Sequence, residues 1–289
     1  MCEKLCYNNS RRTKVKRMKQ IQVINFPTYK NFSLCNFYWG SASSQDIIKL
    51  LESVILDFYS NLDSNRVINL PVLVLNALSS NPPKDYPERV KIKNHVLIYL
   101  TTQDTYWSKY SYQFSHELCH YIIDIDFPPK NDKFGWFEES LCELASLYTL
   151  NKMSTTWQTN PPYSNWTNFA VSLKDYVTKI LAKPENKITR PFNEWLIKNL
   201  PELYKDRYKR TENQIIAIKL LPIFSNNPDM WKAIQYMKDI SITDQMSLEQ
   251  YFIDWKRLTP PILHSSFDDV LELFVHNSTT TTKLSPIAT

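Results

Sequence analysis

Two hydrophobic rhythms divide this chain. In its first hundred residues, segments 21–25 (IQVIN), 71–77 (PVLVLNA) and 95–101 (HVLIYLT) are short aliphatic and β-branched runs bounded by polar or proline-containing stretches, which predicts β-strands. Between the first two, Ile47, Leu50, Leu51, Val54, Ile55, Phe58 and Leu62 recur at helical spacing behind Ser43 and Asp46, a capping-box order, so a helix is expected there. Segment 79–88 carries Pro82, Pro83 and Pro87 and reads as a loop. From Tyr106 onward the period is helical, and helices are predicted over 106–124, 136–152, 165–182, 191–199, 211–223, 228–239, 247–257 and 266–276. Proline punctuates these segments at Pro161, Pro162, Pro184, Pro228, Pro260 and Pro261. The expected architecture is α+β: a basic leader over 1–20, a sheet-plus-helix unit that ends in an αα-hairpin over 21–152, a helical unit over 153–276, and a disordered tail over 277–289.

Composition narrows the chemistry. Of 289 residues only two are glycine, Gly40 and Gly135. A P-loop or a dinucleotide fingerprint needs several closely spaced glycines, so a glycine-cradled nucleotide site is excluded. The net charge of +5 is uneven. Residues 1–20 hold seven Lys or Arg against one acid, leaving 27 basic and 28 acidic residues beyond them. The bulk of the chain is therefore near neutral, and the leader is the one segment suited to nucleic acid or an anionic surface; the expectation is that it is a solvated arm. Neither a secretory signal nor an apolar run long enough to span a membrane occurs. Five scattered cysteines without an export signal fit reduced thiols and a cytoplasmic location.

The informative stretch is 114–148. His116-Glu117-Leu118-Cys119-His120 lies inside a helical pattern, where residues four apart project only about 40° from one another. Two imidazoles so placed can grip one metal ion, with Glu117 about 100° round the helix from His116. Phe114, Leu118, Tyr121, Ile122 and Ile125 fall on the opposite face, so the histidines should open toward a cleft. After a loop-like stretch rich in Pro, Asp and Lys comes Trp136-Phe137-Glu138-Glu139-Ser140-Leu141-Cys142-Glu143. Here Phe137, Leu141, Leu144, Ala145 and Tyr148 lie opposite a Glu139 and Glu143 stripe. Two helices would thus turn His, His, Glu and Glu into a common space.

HExxH, eighteen further residues and a glutamate in a Trp-x-x-Glu context resemble the gluzincin metallopeptidases. Glu143, four residues past Glu139, is similar to the acid of the Glu-x-x-x-Asp element of thermolysin-like enzymes. The resemblance spans roughly residues 96–152 and implies a zincin-like fold, a zinc ion, and hydrolysis of peptide bonds in a peptide or protein substrate. In those terms His116, His120 and Glu139 bind the metal, with Glu138 the alternative carboxylate. Glu117 is the general base, and Glu143 fixes a ligand histidine's tautomer. Cys119 and Cys142 are within reach of a metal and are expected as buried thiols. The Gly-x-Met-x-Asn loop of aminopeptidases is absent, which leaves open an endopeptidase, another peptide hydrolase or an inactive relative. A narrow regulatory protease with one protein partner and a silent interaction module also remain open.

Two further expectations concern the cleft. Tyr163, Tyr204, Tyr208, His264 and His276 are candidates to steady an oxyanion. The strand over 95–101 is expected to form the sheet edge along which an extended substrate pairs.

Overall fold

The structure is a computed structural model that describes residues 21–123 and 131–275. The basic leader and the low-complexity tail lie outside the described residues. Five strands and eight α-helices follow in chain order: β1 (Val23–Asn25), β2 (Phe32–Cys35), α1 (Ser44–Tyr59), β3 (Val72–Asn76), β4 (Glu88–Ile92), β5 (His95–Leu100), α2 (Trp107–Ile123), α3 (Gly135–Thr156), α4 (Phe169–Leu181), α5 (Phe192–Leu203), α6 (Arg210–Asn226), α7 (Leu248–Leu258) and α8 (His264–Phe274). The fold is α+β. No described helix is long and apolar enough to cross a membrane.

The strands form one sheet in the order β1-β2-β3-β5-β4. β2, β3 and β5 run parallel, with Phe32 opposite Val72 and Val74 opposite Ile98. A parallel β2–β3 pair cannot be closed by a tight turn, and α1 supplies the crossover. Ser43 starts that helix as expected, its hydroxyl accepting from the Asp46 N–H at 3.0 Å. β1 and β4 add antiparallel flanks. The β4–β5 hairpin turns over Lys93 and Asn94, with Lys93 at φ 53°, the left-handed conformation that tight hairpins demand.

β5 corrects one expectation. It lies inside the sheet, bonded to β3 on one side and β4 on the other, so it is not the edge. The terminal strand on that side of the sheet is β4, whose start falls in the stretch expected to be a loop. Glu88-Arg89-Val90-Lys91-Ile92 hides its strand character because a sheet's outermost strand is commonly loaded with charge rather than aliphatics. β2 also escaped notice, being four residues long without a β-branched side chain.

The helices differ from expectation in detail. Segment 228–239 winds as 3₁₀ rather than α, and its buried Trp231, Ile234 and Met237 recur every three residues, the period of that tighter helix. α5 and α6 run on through Pro201 and Pro222. The carbonyls one turn back belong to exposed Ile197 and half-buried Ile218, where water can replace the lost bond.

α3 is the axis of the molecule. It packs against α2 on the sheet side and against α4 and α6 on the other. Its residues 135–150 are buried on every face, polar ones included, so the amphipathic stripe read from sequence describes only part of its environment. Phe137 ties the axis to the C-terminal helices through ring contacts with Phe252 at 4.9 Å and Trp255 and Phe274 at 5.5 Å. Aromatic and aliphatic side chains from the sheet unit and the helical unit therefore share one buried cluster.

Candidate metal centre

His116 and His120 sit one turn apart on α2, with ring centroids 5.0 Å apart. α3 crosses this turn and presents Glu139. Its Oε2 lies 3.4 Å from His116 Nε2 and 3.5 Å from His120 Nε2, so one carboxylate oxygen faces both ring nitrogens. Donor atoms bound at about 2.0–2.2 Å in a tetrahedral arrangement stand roughly 3.3–3.6 Å apart. The two sides of the triangle that meet at Glu139 have that length, and the three expected residues could hold a small divalent cation.

Cys142 offers a second grouping. Its thiol and one ring nitrogen each of His116 and His120 lie within 4.8 Å of one another, and these three could also hold a metal. Glu139 and Cys142 are thus alternative third donors. The Glu139 contacts are already at coordination spacing, and the Cys142 thiol is buried. Cys119 is buried beside it and donates to the Leu141 carbonyl at 3.7 Å.

Behind the triangle stands a network that sequence reasoning only partly foresaw. The second nitrogen of His120, Nδ1, is 2.6 Å from Glu138 Oε1. With Nε2 turned to Glu139, the Nδ1–H donates, which makes Glu138 the carboxylate that sets the ring's tautomer and tilt. Glu143, expected in that role, instead accepts from the Tyr112 hydroxyl and lies 3.5 Å from Gln214 Nε2. Arg207, just before α6, is buried and spreads its fork over three acids: Nε to Glu139 Oε1 at 3.2 Å, Nη2 to Glu138 Oε2 at 3.1 Å, and Nη1 to Asp132 Oδ1 at 2.5 Å. Asn213 holds the Arg207 carbonyl at 2.7 Å. Nothing local marks Arg207, since it reaches the site from 68 residues beyond Glu139.

The electrostatics follow from this arrangement. Burial pulls the His116 pKa down, but the bond to Glu139 and the charge of Glu117 carry it above its ordinary value. Burial likewise opposes His120, and Cys142, Glu139 and Glu138 push it well up. Burial would raise Glu139, yet the two histidines hold it well below the usual carboxylate range. All three shifts favour positive charge at the centre of the triangle. Glu117 behaves oppositely, because burial raises its pKa more than the nearby His116, His120 and Arg89 lower it. Its carboxyl makes no hydrogen bond among the described residues.

The triangle opens onto a cleft of about 650 Å³. α2 forms its floor, the β4 approach from Asp85 to Arg89 one wall, and Tyr176, Tyr208 and Arg210 from the helical unit the other. Glu117 and Glu143 both line it. Of the five side chains considered for oxyanion support, Tyr208 reaches the cleft. Tyr163 is stacked edge-on to Trp166 at 5.0 Å, Tyr204 packs on Phe134 at 5.9 Å, and His264 faces the Thr259 carbonyl at 3.1 Å. His276 lies outside the described residues. Tyr176 and Arg210 are cleft residues that no sequence pattern singled out. Comparison with protein-family models, with curated proteins and with solved structures finds no match for this chain.

Proposed function

We propose that this chain is a zinc-dependent peptide hydrolase of the gluzincin type, with His116, His120 and Glu139 as metal ligands. The observation that carries the reading is the Glu139 carboxylate oxygen at 3.4 and 3.5 Å from two imidazole nitrogens on one helical turn, beside an open cleft. Two imidazoles and one carboxylate are the donor set of hydrolytic rather than structural zinc sites, because they leave a coordination position toward the cleft. The chemistry a bound zinc supplies is polarisation of a carbonyl and acidification of a water molecule.

The chain's own residues complete the account. Glu117 lines the cleft one residue from the first ligand, buried and without a hydrogen-bond partner among the described residues, and is the group to take a proton and return it to a leaving amine. Glu138 keeps His120 in the tautomer that leaves Nε2 as a donor. Arg207 neutralises the two adjacent glutamates, which fixes the ligand carboxylate in place. Tyr208, which lines the cleft, would donate to a developing oxyanion. β4, rather than β5, is the strand that borders the cleft and the one along which an extended substrate would lie.

A second reading is favoured by Cys142: a closed metal site with the thiol as a fourth protein ligand, in a protein that binds a partner without catalysis. One set of measurements separates the two. Under the hydrolase reading, purified protein holds about one zinc per chain and cleaves peptides, and Glu117→Gln keeps the zinc while activity falls by roughly 10²–10⁴. The cobalt-substituted protein lacks a thiolate charge-transfer band. A protein that binds no zinc sinks both readings. One that binds it with a thiolate band and no cleavage leaves the closed site.

A further inference from the structure

The floor of the cleft has a direction. Lys109, Tyr112, Gln113, His116, Glu117 and His120 all line it, and their spacing along α2 is that of a single helical face. The cleft therefore runs lengthwise along the helix. Lys109 precedes His116 by seven residues, about 10.5 Å at 1.5 Å per residue. An extended peptide advances about 3.2–3.4 Å per residue and covers that span in roughly three.

The charges at this end are not committed within the molecule. Lys109 and Arg210 are both exposed and line the cleft, and neither side chain makes an ion pair or hydrogen bond with a described residue. Arg210 opens α6 one turn before Gln214, whose side chain touches the Tyr112 hydroxyl at 3.2 Å. Arg210 lines the cleft together with Tyr112 and Tyr176. The cleft acids are mostly engaged. Glu139 is held by the histidines and Arg207, Glu143 by Tyr112 and Gln214, and Glu88 by Lys84. Arg89 is buried and already partnered. Glu117, beside the histidines, and exposed Asp85 are the remaining lining acids outside these pairs.

We propose that Lys109 and Arg210 form a subsite for a carboxylate about three residues from the scissile bond, so that the preferred substrate is a peptide with an acidic side chain, or its own terminal carboxylate, at that position. The inference rests on the hydrolase reading for its frame, but the cation pair would select anionic peptides whether or not they are cleaved. Two solvent-exposed charge contacts give a modest preference, roughly three- to tenfold, that shrinks as salt screens it.

The test uses the full-length zinc-loaded protein and an end-blocked neutral peptide in which one Asp, or its isostere Asn, is moved along the sequence. A third arm leaves the C-terminal carboxylate free. Cleavage is followed in the wild type, and binding in Glu117→Gln by fluorescence anisotropy. Expected is a three- to tenfold gain in kcat/KM and in affinity for Asp over Asn at one position about three residues from the cut, with the free-terminus arm showing which carboxylate is used. In Lys109→Glu/Arg210→Glu, with zinc content unchanged, the Asp-to-Asn ratio should fall to one or invert. Cleavage without such a preference overturns the subsite and leaves the hydrolase standing. Preferential binding without cleavage overturns the hydrolase and leaves the subsite. A preference that survives the double charge reversal overturns the assignment to these two side chains.

Discussion

Arg207 is the side chain on which the candidate centre leans most heavily. Glu138, Glu139 and Asp132 crowd together at the start of α3, and three acids that close repel unless a cation sits among them. Arg207→Met leaves them uncompensated. The expected result is a loss of about 3–5 kcal/mol in metal-free stability by denaturant titration and a zinc affinity weaker by roughly 10–100-fold by chelator competition. Gly135 explains itself in the same terms. A Cβ there would approach Arg207 Nη1 to 2.9 Å and crowd Asp132, so Gly135→Ala should loosen the fork and lower zinc affinity in the same direction by less. A different acid carries a pH signature. Asp57 is buried on α1, and burial raises its pKa above 3.8 despite the bond from the Thr156 hydroxyl at 2.9 Å and the field of Lys152. An acid whose folded pKa is raised binds its proton more tightly in the native state. It therefore destabilises the fold once pH climbs past 3.8 and through the native pKa, and costs nothing below 3.8. Asp57→Asn should raise Tm at pH 7 by the few degrees that correspond to about 1 kcal/mol, with the gain vanishing near pH 3; equal gains at both pH values would contradict the sign.

At the scale of elements, the value of the sequence pattern depended on what each element is buried against. α1 and β3 were legible because one face of each meets the core, so their periods survive in the residues themselves. The HExxH turn was legible for another reason: coordination chemistry dictates residue types at fixed spacing, whatever the packing. The nearness of Glu139 to that turn was expected on the same ground. Glu138 was weighed as a ligand when its carboxylate instead serves His120, because the i+4 geometry that pointed to Glu143 ignores how Arg207 turns the neighbouring acid. β4 and Arg207 were illegible. The first is an outer strand written in charged residues, and the second acts across a sequence distance at which no local period operates. The interior position of β5 changes what a proline does there. With β5 at the edge, Ile98→Pro would weaken cleavage and leave the fold intact. Ile98 in fact faces Val74 on one side and Arg89 on the other, so a proline removes a donor from a strand bonded on both edges. The expected outcome is loss of folding: little soluble protein, or a broad unfolding transition, with cleavage and zinc binding lost together. Soluble Ile98→Pro protein with native circular dichroism would place β5 back at the edge.

The whole molecule is organised so that the site belongs to neither half alone. The two imidazoles stand on a helix packed to the sheet, the carboxylates on α3, and the cation that holds those carboxylates arrives from the helical unit. α3 joins them, and its buried circumference is completed by both halves. Residues 21–160 by themselves would expose the α3 face that α4 and α6 now cover, along with Phe137 stripped of Phe252, Trp255 and Phe274. They would also leave Glu138 and Glu139 without Arg207. An apolar patch of several large aromatics and a pair of unneutralised acids each cost more than a marginally stable domain has in reserve. A fragment of 21–160 is therefore expected to lack a cooperative thermal transition, to bind a hydrophobic dye, and to bind zinc no better than an unfolded His-containing chain. Co-expression with residues 161–275 should restore a sharp transition and a stoichiometric metal site, because the missing contacts are side-chain packing and one ion-pair network rather than a covalent link. A fragment that unfolded cooperatively and held zinc tightly would show that the sheet and the α2–α3 pair are self-sufficient, and that Arg207 decorates the site instead of holding it.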